Sequence, residues 1–458
     1  MDAARSRGQR RRKSIQSQSI EAPGLASRKA AIRLLGAIVD AGTSLDGLTD
    51  PEHGHPQFLA LDGRDRSLLR AILVTALRYR VTIGRMIERH LERPLPANAR
   101  SLAHILHVGA TQILFLDVPD SAAVDLAVAC AKSDPRTVRF AGLVNAVLRN
   151  VARSKDDLAQ ILRETVNAPA WFHERLAAAY GPDRAMAILS MHRIETPTDF
   201  TVKSDADGWA EKFGGRVLPT GSVRVARLQA AVPDLPGFEE GAWWVQDAAA
   251  ALPARLLGGI RGLKVADLCA APGGKTAQLA LAGADVTALD ISASRLKRLR
   301  RNLARLGLEA ATVAADIRAY QPAELFDAVL LDAPCSSTGT VRRHPDVPWT
   351  KSPEDIVKLA GLQRELLDKA VEFVRPGGRI VFSNCSLDPL EGEDLVRSFL
   401  EERKDVRLDP IGASDFPTVA TFIAPEGWLR TTPADLDMGT PEFSGLDGFF
   451  AARFVRAG

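Results

Sequence analysis

The sequence predicts an α/β protein: a C-terminal, doubly wound, Rossmann-like parallel sheet, preceded by an all-α region and a small α/β subdomain. Three observations predict it. From Trp243 onward short apolar runs alternate with stretches of helical periodicity, the pattern of repeated strand–helix units. Between Leu25 and Asn150 the apolar residues recur at helical spacing, and strand-like alternation is absent. The chain has 458 residues, 46% hydrophobic and 25% charged, which is more than one core holds and suits a soluble multi-domain protein.

Taken in order, residues 1–24 hold Arg5, Arg7, Arg10, Arg11, Arg12 and Lys13 with almost no apolar residues, and are expected to be a disordered basic tail. Residues 25–150 read as an all-α domain, with SRKAAIRLLGAIVDAG, RDRSLLRAILVTALRYRVTIGRMIERHL, SLAHILHVGATQILFL and SAAVDLAVACAK as its helices. Gly42, the PEHGHP loop, Pro94 with Pro96, and Val118-Pro119-Asp120 punctuate it. Residues 151–240 start helical and turn, after Pro197, into short apolar runs such as DFTVKS and GGRVLP, expected as a linker and small α/β subdomain. In 241–458 the expected strands are LKVADLC, ADVTALD, AATVAAD, FDAVLLDAP, GRIVFSNC and GFFAARFV.

Composition narrows the function. The four cysteines, Cys130, Cys269, Cys335 and Cys385, form no CxxC pair, which argues against a structural zinc site and a secreted disulfide framework; no metal is expected. The amino terminus lacks an apolar signal core and no run approaches a bilayer span, so the expected location is the cytoplasm. Residues 1–150 carry 22 Lys/Arg against 14 Asp/Glu, a net +8, while the whole chain is only +3. A basic N-terminal module ahead of a near-neutral body suits a polyanion such as RNA.

The first strand of the sheet runs into ADLCAAPGGKT, whose small residues let the backbone approach a ligand before a helix begins near Lys275. It satisfies neither the P-loop pattern nor full GxGxxG spacing. The second strand ends in Asp290, placed for ribose hydroxyls, and the third in Asp316, placed for an adenine amine. Strand ends carrying small residues, an acid and an acid fit an adenosine without a polyphosphate, and so favour S-adenosylmethionine.

Cys335, in LLDAPCS, and Cys385, in IVFSNCS, follow the fourth and fifth strands. Neighbouring strands lie about 4.8 Å apart, so two thiols at their carboxyl ends can address one ring. Carbon-5 of a pyrimidine is a poor nucleophile until a thiolate adds at carbon-6, which makes a cysteine chemically necessary for methylation there. Asp332 is placed to hydrogen-bond a cytosine N3, and Pro334 stiffens the turn. Cys130 reads as core, and Cys269 as packing beneath the cofactor motif. Residue chemistry alone leaves open which of Cys335 and Cys385 attacks.

DLCAAPGGKT, DAPCSSTGTVRRHPDVPW, SNCSLDPLEGE and DGFFAARF together resemble the Sun (RsmB) group of the NOL/NOP/Sun RNA cytosine methyltransferases, and residues 25–150 resemble the NusB-like RNA-binding domain found ahead of that enzyme in bacteria. The resemblance implies a class I S-adenosylmethionine methyltransferase sheet, an RRM-like middle subdomain, and formation of 5-methylcytosine in 16S ribosomal RNA; a monomer is expected. By position it implies Cys385 as nucleophile and Cys335 as the group that helps release the enzyme. It further implies Asp332 at the substrate base and beside the cofactor, and Ala270, Ala271, Pro272, Gly273, Gly274 and Lys275 as the cofactor loop. Lys275 would meet the cofactor carboxylate, with Asp290 at its ribose and Asp316 at its adenine.

Two features depart from the family pattern: Asn384 stands where the family usually has Thr, and TDFTVKS lacks the usual Arg-Val-Asn core. Arg342, Arg343 and His344 are expected to hold phosphates of the target nucleotide. The basic stretch from Arg295 to Arg305 is expected as an outer, solvated helix face. The rivals are the same chemistry on transfer RNA or 23S ribosomal RNA, and a non-catalytic RNA-binding or assembly protein.

Overall fold

The structure, a computed structural model, describes residues 23–458. The expected basic tail therefore lies, except for Pro23 and Gly24, outside the described residues. No described helix is long and apolar enough to cross a membrane.

Helices Leu25–Ala41, Gly63–Arg78, Arg80–Glu88, Arg100–Phe115, Asp120–Ser133 and Ala141–Arg153 build the N-terminal bundle. Leu34, Leu35 and Ile38 recur on one face of the first and meet Leu69, Ile72 and Leu73 of the second, all fully buried. The apolar run 64–91 is two helices that break at Tyr79, whose ring stacks on Phe115 at 4.2 Å. Cys130 is buried in this bundle. The last helix ends at Arg153, past the expected boundary at 150.

In the middle region β1 (Thr198–Val202), β2 (Arg216–Val217), β3 (Val223–Val225) and β4 (Trp243–Val245) form a four-stranded antiparallel sheet in the order β2-β3-β1-β4. β4 lies beyond residue 240, so the expected boundary there separates paired strands: Phe200 stands opposite Val245. Asp199 and Arg224, both fully buried, face each other across β1 and β3 as a two-bonded fork at 2.6 and 2.7 Å.

The large sheet comprises β5 (Lys264–Leu268), β6 (Asp285–Asp290), β7 (Ala311–Ala314), β8 (Phe326–Asp332), β9 (Val374–Asn384), β10 (Val406–Leu408), β11 (Leu429–Thr431) and β12 (Phe449–Arg456). Its order is β10-β12-β9-β8-β5-β6-β7, with β11 also on β12. β5 to β9 pair in parallel, as expected, but β12 runs antiparallel to β9, β10 and β11. The sheet is thus mixed, since β12 returns from a loop rather than from a crossover helix. Apolar runs in β8 serve both faces: Val329 and Leu331 pack with Leu367 and Val371 of the helix Pro353–Phe373, Ala328 and Leu330 with Leu257 and Leu279. The strand order reverses between β5 and β8, which opens the ligand crevice beyond their carboxyl ends.

Candidate active site

The loop after β5 turns sharply, with Cys269 at φ 61° and Gly273 at φ 104°. A Cβ on Gly273 would meet Leu299 Cγ at 2.7 Å, so only glycine lets the helix Ala293–Arg305 pack this close. Beside the loop lies a cleft of about 390 Å³ lined by Cys269–Lys275, Asp267 and Asp332, with Trp244, Gln246 and Asp247 also in its wall. Asp267, absent from the sequence reading although it opens DLCAAPGG, is fully buried; its Oδ2 accepts from Thr276 Oγ1 at 2.5 Å and its Oδ1 has no protein partner. Burial pushes its pKa up to about 7. An orphaned acid in the wall of this cleft fits a cationic ligand that donates hydrogen bonds, which S-adenosylmethionine is. Cys269 also lines the cleft, and burial raises its thiol to about 12.

The two other acids sit apart from that cleft. Asp290 is buried against the loop, its Oδ2 accepting from Ala271 N at 3.2 Å and its Oδ1 from Ser292 N at 2.9 Å, with Arg295 at 3.5 Å. Asp316 is partly exposed, and its carboxylate is held by Arg318 at 2.7 Å, which lowers its pKa. Neither lines the cleft.

β8 and β9 are adjacent, with Asp332 opposite Ser383, and their loops bring the two thiols together: Cys335 Sγ lies 3.3 Å from Cys385 Sγ. Both are half-buried. The hydrogen bond from Cys335 lowers the Cys385 pKa, helped by the Ser337 hydroxyl, against the pull of burial. The same bond, with burial, raises that of Cys335 well above the ordinary thiol value. Cys385 is therefore the thiol that ionises first. Asp332 accepts from Lys275 Nζ at 2.8 Å and from Ser383 Oγ at 2.9 Å, and Lys275 lies over the Phe449 ring at 5.0 Å. Asp332 thus joins the loop after β5 to the loops that carry the two thiols.

The side chain of Asn384 is buried: its Nδ2 donates to Gln363 Oε1 at 3.0 Å and to the Glu391 carbonyl at 2.6 Å, while its Oδ1 accepts from Ser386 N at 2.9 Å. Glu391, fully buried and not singled out by the sequence reading, accepts from Ser336 N at 2.9 Å, from the Ser336 hydroxyl and from Gln363 Nε2 at 2.8 Å. A second acid in SNCSLDPLEGE was its only visible signal.

Two expectations are corrected. Arg342 and Arg343 are not free to hold phosphates, and His344 is paired with an acid of the N-terminal bundle. Arg342 is fully buried and donates to the carbonyls of Ser444 and Leu446 at 3.1 and 3.4 Å. Arg343 bonds Asp247 at 2.7 Å and Asp447 at 3.0 Å, and His344 Nδ1 meets Asp46 at 2.9 Å. The carboxylates of Asp247 and Asp447, 7% and 3% exposed, need a cation, and leaving them unpaired would cost more than a solvent-exposed phosphate contact returns. Nor is the basic helix wholly solvated: Arg298 and Arg301 reach Asp50 and Glu52 of the N-terminal bundle at 3.1 and 3.5 Å, and Arg305 donates to the carbonyls of Phe238 and Trp243.

Comparison with known proteins agrees with this arrangement. Residues 259–455 match the family model described as 16S rRNA methyltransferase RsmB/F, and residues 25–153 match that of the NusB family. The chain is 36% identical over 400 residues to the ribosomal RNA small subunit methyltransferase B of Vibrio cholerae, covering 83% of this chain and 90% of that one. It is 32% identical over 448 residues to the protein of the same name from Cronobacter sakazakii, covering 94% and 98%. A crystal structure titled PH0851 shares the fold with a TM-score of 0.70 at 23% identity, over 94% of this chain and 98% of that one. With a thiol pair at the carboxyl edge of a methyltransferase sheet and relatives matched over nearly their full length, the chain belongs to the RsmB/F family of S-adenosylmethionine-dependent methyltransferases.

Proposed function

We propose that the chain methylates carbon-5 of a cytosine in 16S ribosomal RNA through a covalent Cys385–cytosine adduct. The observation that carries this is the 3.3 Å separation of Cys335 and Cys385 sulfurs, beside a cofactor loop tied to them through Lys275 and Asp332. S-adenosylmethionine, when bound, supplies an electrophilic methyl group. Ala270, Ala271, Pro272, Gly273 and Gly274 give it a close backbone surface and Lys275 meets its carboxylate, while Asp290 and Asp316, expected at its ribose and adenine, lie outside the cleft.

The target base must leave its stack to reach the thiols. Cys385 thiolate then forms a bond to carbon-6, the electron pair of the C5–C6 double bond moves into the ring, and N3 takes up a proton from water. Asp332, held as an acceptor by Lys275 and Ser383, receives the N3–H hydrogen bond and so stabilises the adduct. Carbon-5, now enamine-like, takes the methyl group. The carbon-5 proton passes to water, its electron pair re-forms the C5–C6 double bond and expels Cys385 as a thiolate, N3 gives its proton back to water, and Cys335 assists by hydrogen-bonding the departing sulfur. The state we assign is a monomer and the location the cytoplasm, and the basic N-terminal region supports RNA as the partner.

Purified protein, a tritiated methyl donor and separated 16S, 23S and transfer RNA test the proposal. Label is expected in 16S RNA, none with Cys385→Ala, and a protein–RNA adduct is expected to accumulate with Cys335→Ala but not with the double variant. Transfer that survives Cys385→Ala overturns the mechanism. Label confined to 23S or transfer RNA overturns the substrate, and no transfer by the wild type favours an assembly protein.

A further inference from the structure

The two thiol loops are joined behind the thiols by a network with Glu391 at its centre. Its carboxylate holds the backbone and hydroxyl of Ser336, the residue next to Cys335. Its backbone carbonyl holds Asn384, the residue before Cys385, and Gln363 bonds to both Glu391 and Asn384. Gly339 N also donates to the Cys385 carbonyl at 2.9 Å, and Leu387 N to Thr338 Oγ1 at 2.9 Å. Ser336, Gln363, Asn384 and Glu391 are each at most 1% exposed. A buried carboxylate with good donors and no solvent rigidifies what it touches.

The donors that reach Glu391 are neutral, so its charge is not cancelled locally. Neighbouring ions are committed elsewhere: Arg175 to Asp388 at 2.8 Å, Arg430 to Glu393 at 2.7 Å, and Lys275 to Asp332. Burial raises the Glu391 pKa, and the hydrogen bonds from Ser336 and Gln363 oppose that rise; the negative charge they hold one residue from Cys335 disfavours a second negative charge on that sulfur, and Glu391 is among the groups that raise the Cys335 pKa.

We propose that Glu391 is a positioning residue for the methyl transfer: it locks the loops after β8 and β9 in one register and keeps the proton on Cys335, so that Cys385 is the sulfur that attacks. This rests on the reading that these two thiols react. With Glu391 in place a single proton is shared toward Cys335, leaving an unambiguous nucleophile and an unambiguous acid. Asn384 ties the attacking loop into the same network through its bond to Gln363.

Alkylation by iodoacetamide, resolved by mass spectrometry into label on Cys335 and on Cys385, tests the proposal together with steady-state kinetics. Wild type is expected to label first at Cys385. Glu391→Gln keeps the shape and removes the charge; we expect the Cys385:Cys335 labelling ratio to fall about tenfold, and kcat to fall about a hundredfold with little change in cofactor KM. Ser336→Ala, which removes one hydroxyl, is expected to move both in the same direction by less, and decides the matter if Glu391→Gln does not fold by thermal melting. Wild-type ratio in the folded variants overturns the proposal, whether or not kcat has fallen, because a purely structural role would leave the ratio unmoved. Methyl transfer by Cys385→Ala would instead defeat the proposed function, whatever Glu391 does.

Discussion

At the scale of single residues the sheet's carboxyl edge separates groups by environment. Asp267 is a carboxyl whose folded pKa, about 7, lies above its ordinary value of 3.8. The folded state therefore holds a proton that the unfolded chain releases, and the stability this group contributes is present below about pH 4 and lost as pH rises toward 7. Asp267→Asn is expected to flatten that loss, which melting of the cofactor-free protein between pH 4.5 and 7.5 would show as a smaller decline in Tm than in the wild type. Asp332 has a different task, since it is partly exposed and held as an acceptor. Asp332→Asn is expected to lower kcat by about 10² to 10³ while leaving RNA affinity within a few fold, as measured by single turnover and filter binding. The thiol pair was legible because each cysteine follows an apolar run directly and strand spacing does the rest. The roles of Arg342, Arg343 and His344 were not: their partners, Asp46, Asp199, Asp247, Asp447 and the carbonyls of Ser444 and Leu446, lie far away in sequence, and a basic triplet reads the same whether it meets phosphate or buried carboxylate.

At the scale of elements, what was legible followed from length and burial. β5, β6, β8 and β9 each carry a short, mostly apolar run buried on both faces, and such runs stand out. β10 and β11 have three residues each, too few for a periodicity to register, and the direction of β12 depends on how the chain returns rather than on its composition. β12 nevertheless carries much of the core: Phe450 and Phe454 are fully buried, and Phe454 meets Phe399 edge-on at 5.5 Å. Phe454→Ala is expected to cost about 3–5 kcal/mol, read as a lowered urea midpoint at unchanged m-value. In the middle sheet Arg224 neutralises Asp199 without water, and Arg224→Ala should destabilise by a similar 3–5 kcal/mol or so because it strands a buried carboxylate.

At the scale of the whole molecule, the N-terminal bundle rests on the segment that follows Cys335. His344 meets Asp46, Leu45 N donates to Asp346 at 2.9 Å, Arg78 donates to the Arg342 carbonyl at 3.0 Å, and Trp349 Nε1 donates to the Leu77 carbonyl at 3.2 Å. Burial opposes the charge on His344, but the bond to Asp46 and the charges of Asp447 and Asp346 outweigh it and raise its pKa above the ordinary 6.5. Its contribution to docking is thus complete below about pH 6.5 and lost as pH rises through the raised value, while the lowered pKa of Asp46 keeps its own part until strongly acid conditions. Both side chains are more than a third exposed, so the effect is modest and screened by salt. Hydrogen exchange around residues 45–48 is expected to quicken from pH 6 to pH 9, after correction for intrinsic rates, and His344→Gln is expected to abolish that difference.

One stretch of the chain, residues 342–349, thus serves as a keystone on which helical bundle, middle sheet and carboxyl-terminal loop all lean. Grafting a foreign RNA-reading module onto this catalytic half would leave His344, Asp346 and Trp349 facing strangers, so a working chimaera has to transplant the keystone, or the surfaces complementary to it, along with the module.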